Sequence, residues 1–394
     1  MSHEGEPPGS EERPLSGVVV VDLTRVLAGP FCTLVLAQLG ARVIKVESPD
    51  GGDDARAFGP IVNGRSLYFS AVNYDKQSIA LDLKSAADRA TFEALLAVAD
   101  VVAENFRPGT MERLGYGWES LHARHPRLIY AALSGFGQTG PLAARPAYDM
   151  VVQGMGGVMS VTGHPGAPPT RVGVSIGDLV AGLYLATGVS AALFERARTG
   201  VGAMVDVAML DCQVAILEEA LAAYLATGEV ARPLGDRHPR IAPFGVFRTA
   251  SGHVVVAAGN DRQFAVLCDA IGRPELARDA RYATNASRLA HVDVLRGDLE
   301  RSLASASTER WLAVLEAAGV ACGPVNDVAA VARHPQVAAR NMILSIADPA
   351  LGELRVAGSP IKLAGRAEPR SHRAPPALDG DRADVLAMLA RRRP

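Results

Sequence analysis

The chain has 394 residues, 48% of them apolar and 21% charged, with 40 Lys and Arg against 42 Asp and Glu. That length suits two cores better than one, and a net charge of −2 excludes the strongly basic face of an electrostatic nucleic-acid or membrane-surface binder. The four cysteines, Cys32, Cys212, Cys268 and Cys322, form no CxxC pair, so they suggest neither a zinc site nor a disulfide framework and predict reduced thiols in a cytoplasmic protein.

Residues 1–14 hold four glutamates, one arginine and three prolines with no apolar run, which predicts a disordered leader and not a signal or transit peptide. The β-branched run Val18 to Leu23 predicts a buried parallel strand. Gly29-Pro30 separates it from a helix over Phe31 to Leu39, which Gly40 ends, and Ala41 to Glu47 is the next strand. Further strands are predicted over Ser78–Leu83, Val101–Glu104 and Leu128–Leu133, with a helix over Ser85–Val98. This alternation gives an α/β fold with helices on both faces of a parallel sheet, whose ligands bind beyond the carboxyl ends of the strands. The loops that matter are then 24–30, 47–59, 105–109 and 134–141.

Leu179 to Phe194 is a run of 16 uncharged residues. It is shorter than the ~18–20 residues of a membrane span and contains Gly182, Thr187, Gly188 and Ser190, so a buried helix is predicted and no membrane partner. Leu210 to Leu225 reads as one apolar helix, followed by a polar, proline-punctuated connection. Phe244–Thr249 and His253–Ala258 predict a hairpin around Ser251-Gly252. Short helices follow through Ala318, a strand pattern returns over Gly358–Leu363, and a helix over Ala383–Arg391 closes the chain with a solvated basic tail, Arg391-Arg392-Arg393. The expected organisation is a large domain over 15–205, a linker helix and connection over 206–240, a small domain over 241–330, and a return over 331–394 to the large domain.

Asp178 is the most informative residue. It stands just ahead of the long apolar run, where a carboxylate serves either as a helix N-cap or as a reactive group at a helix start. The first βαβ unit invites a dinucleotide reading with Glu47 as ribose acceptor, but its turn, Thr24 to Pro30, lacks GxGxxG and with it the close approach for a pyrophosphate. No Walker A, HExxH or GxSxG segment occurs.

Taken together, several segments carry a specific resemblance. They are Asp22 to Pro30, Leu39-Gly40-Ala41 with Val43 to Glu47, Gly52-Asp53-Asp54-Ala55-Arg56, Ser78 to Lys84, and Val102 to Gly109. Gly135 to Pro141, Tyr148-Asp149, Val174 to Gly182 and Cys322 to Asn326 complete the series. In this order and spacing, from about Leu15 to Gly365, the chain resembles the class III CoA-transferases, the family of formyl-CoA and carnitine CoA-transferases. The resemblance implies a large Rossmann-like domain and a smaller α+β domain, with two subunits interlocked as a homodimer. It implies Asp178 as the nucleophile and CoA-binding positions at Val26, Ala28, Leu81, Lys84, Asn105, Phe106 and Arg113. Arg25, Leu27 and Ser134 stand where some members carry His, Gln and Lys. Ile241 to Phe244 and Ala258 to Phe264 further resemble the succinate–hydroxymethylglutarate (glutarate) CoA-transferases, which exchange CoA between dicarboxylic acids. A cation is then expected for the far carboxylate, from Arg25, Arg56, Arg145 or Arg171, with Arg56 and Arg171 ranked first and Tyr148 positioning substrate.

The activity so implied moves CoA from succinyl-CoA or glutaryl-CoA to a free acid through an aspartyl anhydride and an aspartyl-CoA thioester. The CoA thioester is substrate, and neither metal nor redox cofactor is required. A free aspartate titrates near ~3.9, so Asp178 is expected ionised without help, with backbone N–H groups near Gly156-Gly157 or at its helix start receiving the oxyanions. Two other readings stay open. A 2-methylacyl-CoA racemase of the same fold needs two acid/base groups, and its relatives carry Gly-His-Asp where this chain has Ala147-Tyr148-Asp149. A non-catalytic CoA-binding protein keeps the CoA loops and has no need of Asp178.

Overall fold

The computed structural model describes residues 13–391. The expected leader lies outside them except for its last two residues, as do Arg392 and Arg393 of the basic tail.

Six strands form one parallel sheet: β1 (Val19–Asp22), β2 (Arg42–Glu47), β3 (Lys76–Ala80), β4 (Val101–Glu104), β5 (Ile129–Ser134) and β6 (Met204–Ala208). Their order across the sheet is β3-β2-β1-β4-β5-β6. The direction of travel therefore reverses between β1 and β4, where open α/β sheets leave a crevice for ligands. β1, β4 and β5 read as nearly continuous apolar runs because both faces are covered. Val20, Val101 and Ile129 pack on one face with α1 (Ala28–Gln38) and with the long helix Ile176–Thr199. Val19, Val21, Val102 and Tyr130 pack on the other with α2 (Ala86–Val98) and the C-terminal helix Arg382–Arg391. Each such fully buried aliphatic side chain contributes roughly 1.5–3 kcal/mol.

By length and composition the 24-residue helix Ile176–Thr199 is long and apolar enough to cross a membrane, longer than the 16-residue run suggested. Ala181, Leu185, Ala186 and Val189 bury one side of it against the sheet, which places it in the core of this fold.

Three expectations need correction. Strand β6 was not foreseen, since Asp206 interrupts its pattern; that carboxylate accepts the Gln138 N–H (3.0 Å). The single helix over Leu210–Leu225 is two, Met209–Ala215 and Glu218–Thr227, because the chain turns at Ile216-Leu217 and Glu218 takes a positive φ of 46°. No strand runs over Gly358–Leu363. The strands of this region are an antiparallel pair, Ile343–Asp348 and Gly352–Ala357, whose Leu344, Ile346, Leu354 and Val356 bury on Leu34, Val72 and Tyr74.

The described chain divides into two compact units. The first holds the parallel sheet and comprises residues up to Met159, Arg171–Glu229 and everything from Ala338 on. The second comprises Ser160–Thr170 and Val230–Val337. Within it, Phe244–Arg248, His253–Ala257 and Ala321–Pro324 form an antiparallel sheet, packed on helices Asp261–Ala270, Val292–Leu303 and Thr308–Ala317 through Phe247, Val254, Phe264, Leu299 and Leu315. Residues 160–170, expected in the large domain, group with this unit, where the Gly235 N–H donates to the Gly163 carbonyl at 2.8 Å.

Candidate active site

The loops leaving β1 and β4 meet at the crevice. Asn105 joins them: its Oδ1 accepts the Arg25 N–H and its Nδ2 donates to the Arg25 carbonyl, both at 2.8 Å. The next residue, Val26, adopts φ 69°. A β-branched residue in the left-handed region costs of order 1–3 kcal/mol and persists only where its surroundings enforce it. Here the Val26 N–H is taken by Asp53 Oδ1 at 2.9 Å.

These two loops form walls of a cavity of about 450 Å³. Val26, Ala28, Asn105 and Phe106 line it together with Arg145, Tyr148 and Asp178. A neighbouring hollow of about 240 Å³ is lined by Leu81 and Lys84 and shares Arg25 and Phe106 with the first. The guanidinium of Arg25 lies 5.4 Å over the Phe106 ring, and its ion pair with Asp54 (3.4 Å) is more than half exposed on both sides, so it holds little energy.

Asp178 belongs to α4, Ile176–Thr199, which packs against α3, Asp149–Met155. Ser175 is the N-cap of α4, so Asp178 is a first-turn residue and the N-cap reading fails. The first turn is capped from outside. Asp149 Oδ1 accepts the Gly177 N–H (2.9 Å), while Oδ2 accepts from Gln153 Nε2 (2.7 Å) and pairs with Arg171 at 3.5 Å. One turn on, Gly182 lets α4 approach α1, since a Cβ there would sit 2.6 Å from the Ala28 carbonyl oxygen.

The Asp178 carboxyl is not the freely ionised group the sequence suggested. Burial, and after it the negative charge of Asp149, push its pKa up to about 7. No hydrogen bond or ion pair reaches its side chain among the described residues. Of the donors expected for an oxyanion, the Gly177 N–H is occupied by Asp149, and Gly156 and Gly157 are not among the residues lining the cavity. Tyr68, unmarked in the sequence, is within electrostatic reach: burial, then Asp178, Asp53 and Asp149, raise its pKa.

The remaining expected residues fall elsewhere. The Arg56 guanidinium is committed to Glu47, Nε to Oε2 at 2.7 Å and Nη2 to Oε1 at 2.6 Å, with Nη1 on the Pro376 carbonyl. Arg171 reaches Asp149 Oδ2 only at 3.5 Å and does not line the cavity. Arg113 donates to Thr110 Oγ1 (2.9 Å) and lines neither hollow. In their place Arg107 lines the cavity beside Arg25 and Arg145. Its signal was present, as it follows Asn105-Phe106 directly. Among the described residues no group of three or more His, Cys, Asp or Glu side chains is placed to hold a metal ion.

The model of the family described as CoA-transferase family III matches residues 15–382. The chain belongs to this family. The acetyl-CoA:oxalate CoA-transferase of Acetobacter aceti is 48% identical over 373 residues, covering 94% of this chain and 95% of its own. The succinyl-CoA:glutarate CoA-transferase of Mus musculus is 39% identical, covering 89% and 80%. A CAIB/BAIF family protein from Brucella suis has a solved structure that superposes with a TM-score of 0.85 at 40% identity, covering 96% and 100%. The protein is thus a class III CoA-transferase with the α/β fold of its solved relatives.

The raised pKa gives this CoA-transferase a testable pH dependence. A carboxyl whose folded pKa lies above its unfolded value opposes folding as it ionises. That cost is absent below the ordinary aspartate range, grows as pH rises from about 4 to 7, and is complete above about 7. Asp178→Asn is therefore expected to raise thermal stability at pH 8, by on the order of 1–3 kcal/mol, and to change it little at pH 4. Denaturant titrations at both pH values check this; equal effects at the two would remove the buried charge as the cause.

Proposed function

We propose that this enzyme moves CoA from an acyl-CoA, succinyl-CoA or glutaryl-CoA among the donors, to a dicarboxylic acid, with Asp178 as nucleophile. The observation that carries the reading is a single cavity holding an unpartnered aspartate, the loops of the family's CoA positions and three arginines, Arg25, Arg107 and Arg145. The names of its relatives support the acceptor class: they refer to oxalate, glutarate and mesaconate, all dicarboxylates.

In the proposed sequence, the Asp178 carboxylate attacks the thioester carbonyl, forming a mixed anhydride and releasing CoA thiolate. The thiolate attacks the aspartyl carbonyl, releasing the donor acid and leaving aspartyl-CoA thioester. The acceptor carboxylate attacks this thioester, giving a second anhydride and thiolate. Attack of the thiolate on the acceptor carbonyl yields the new acyl-CoA and restores Asp178. Val26, Ala28, Asn105 and Phe106 receive CoA beside the reacting group, with Leu81 and Lys84 in the adjoining hollow, and Arg113, which lines neither, reaches the CoA phosphates only by leaving Thr110. Arg145 or Arg107 receives the distal carboxylate, and Tyr148, 72% exposed, borders the acceptor. Arg56 and Arg171 act behind this surface, on Glu47 and Asp149.

The decisive experiment mixes enzyme with succinyl-, glutaryl- or acetyl-CoA and a panel of mono- and dicarboxylates, and identifies the CoA products by mass spectrometry. New dicarboxylyl-CoA without hydrolysis supports the reading. Epimerised 2-methylacyl-CoA with no exchange would establish the racemase instead, and binding without turnover a CoA-binding protein.

We also propose a homodimer with interlocked subunits and a cytoplasmic location, in keeping with four free cysteines. Support for a second copy comes from apolar surface on the first unit. Helix Glu218–Thr227 buries none of its residues, leaving Leu225 74% exposed, and Phe194 on α4 is 67% exposed. Faces of this kind mark association sites. Sedimentation is expected to give a dimer down to nanomolar concentration, with dissociation by urea coincident with unfolding; a folded, active monomer at micromolar concentration would refute interlocking.

A further inference from the structure

Behind the crevice lies a buried ion pair that anchors one wall of the cavity. Lys45, at the fourth position of β2, and Asp53, in the loop after β2, meet at 2.9 Å with side chains 1% and 0% exposed. The Lys45 ammonium donates to the Thr24 carbonyl at 2.6 Å. Asp53 Oδ1 accepts the N–H groups of Val26 and Ala55, both at 2.9 Å. The pair thus grips the loop after β1 on both sides of Arg25, once by a carbonyl and once by an amide. Between these grips the chain turns into the left-handed conformation at Val26. Nothing intrinsic to valine favours that turn; the amide held by Asp53 does.

We propose that Asp53, held by Lys45, is a positioning residue for CoA transfer, fixing Val26 in its left-handed conformation so that the Arg25–Ala28 wall is set for acyl-CoA before it arrives. This concerns reception of the CoA moiety and is independent of which acid accepts it. Two backbone N–H groups converge on one oxygen of the Asp53 carboxylate, and the Lys45 ammonium faces the other at ion-pair distance. Asparagine, isosteric but with one face a donor, leaves a donor-to-donor contact whichever way it is turned. The loop is then released without a change of volume.

The test combines Asp53→Asn with Val26→Gly. Glycine enters the left-handed region at little cost, so it substitutes for the grip that Asp53 provides. Calorimetric titration with free CoA is expected to show dissociation constants about tenfold or more weaker for Asp53→Asn, and KM for acyl-CoA rises alongside, while kcat stays within about threefold. The double variant Asp53→Asn/Val26→Gly recovers CoA affinity to within about threefold of wild type. Lys45→Gln, made in parallel, follows the same pattern and the same rescue. An unaltered dissociation constant in Asp53→Asn overturns the proposal, and so does a loss that glycine at 26 fails to repair. In the latter case the pair only stabilises the fold, because glycine cannot restore general stability. Failure of the wild-type protein to bind CoA would strike the proposed function instead, so the two are told apart.

Discussion

Asp178→Ala is expected to remove CoA transfer by at least about 10³-fold while leaving CoA affinity and fold intact. The carboxylate forms or breaks a covalent bond in each of the four proposed acyl transfers, so no partial route bypasses it. Structure adds a reason to expect a clean result. The first turn of α4 is capped by Asp149 through Gly177, and Asp178 itself caps nothing, so its removal does not unfasten the helix. Wild-type enzyme incubated with acyl-CoA and hydroxylamine should acquire a hydroxamate on Asp178, found by peptide mass spectrometry. Turnover by the alanine variant, or labelling elsewhere, would sink the anhydride route. The rate should also rise with pH through about 7, the pH at which burial and Asp149 let this carboxyl ionise. A profile flat from pH 5 to 9 would mean that ionisation of Asp178 does not limit turnover.

The second large effect concerns the acceptor. Arg145→Leu is expected to lower kcat/KM for dicarboxylates by roughly 10–30-fold, about 1.4–2 kcal/mol, and to lower it less than about threefold for a matched monocarboxylate. The estimate stays modest because Arg145 is exposed and makes no ion pair among the described residues, only a contact 5.9 Å from the Phe136 ring. Arg107→Leu is measured beside it. Arg56→Leu serves as the contrast. Its loss leaves buried Glu47 without its bidentate partner, which lowers stability by about 3–5 kcal/mol and affects both acid classes alike. Equal losses for mono- and dicarboxylates in both cavity variants would show that the distal carboxylate is read by other groups.

Much of the frame was legible because burial on two faces writes itself into sequence. Val18 to Val21 and Val101 to Ala103 announce their strands by unbroken apolarity, and the loops after those strands are where the cavity forms. What was hidden depends on partners distant in the chain. Nothing near Arg56 says that Glu47 has already claimed it, and nothing near Arg171 points to Asp149, so neither of the arginines ranked first on loop composition lines the cavity. Asp178 was found by resemblance, but its proton was not, because a raised pKa comes from the walls around a carboxyl and from Asp149. Strand β6 was masked by Asp206, a charge tolerated at a sheet edge where it holds the Gln138 amide. The pair Ile343–Asp348 and Gly352–Ala357 alternates over too short a span to stand out from its exposed surroundings.

The contact at Gly182 has a bearing on how this scaffold diversifies. Helix α1 starts at Ala28 in one wall of the cavity, and α4 carries Asp178 in another. The two are gauged against each other where Gly182 meets the Ala28 carbonyl. Clearance across the mouth is thereby set by a backbone-to-backbone approach at Ala28, a residue of the cavity wall. A side chain at residue 182 would push α4 off α1 and so change the width of the mouth without altering any residue that lines it.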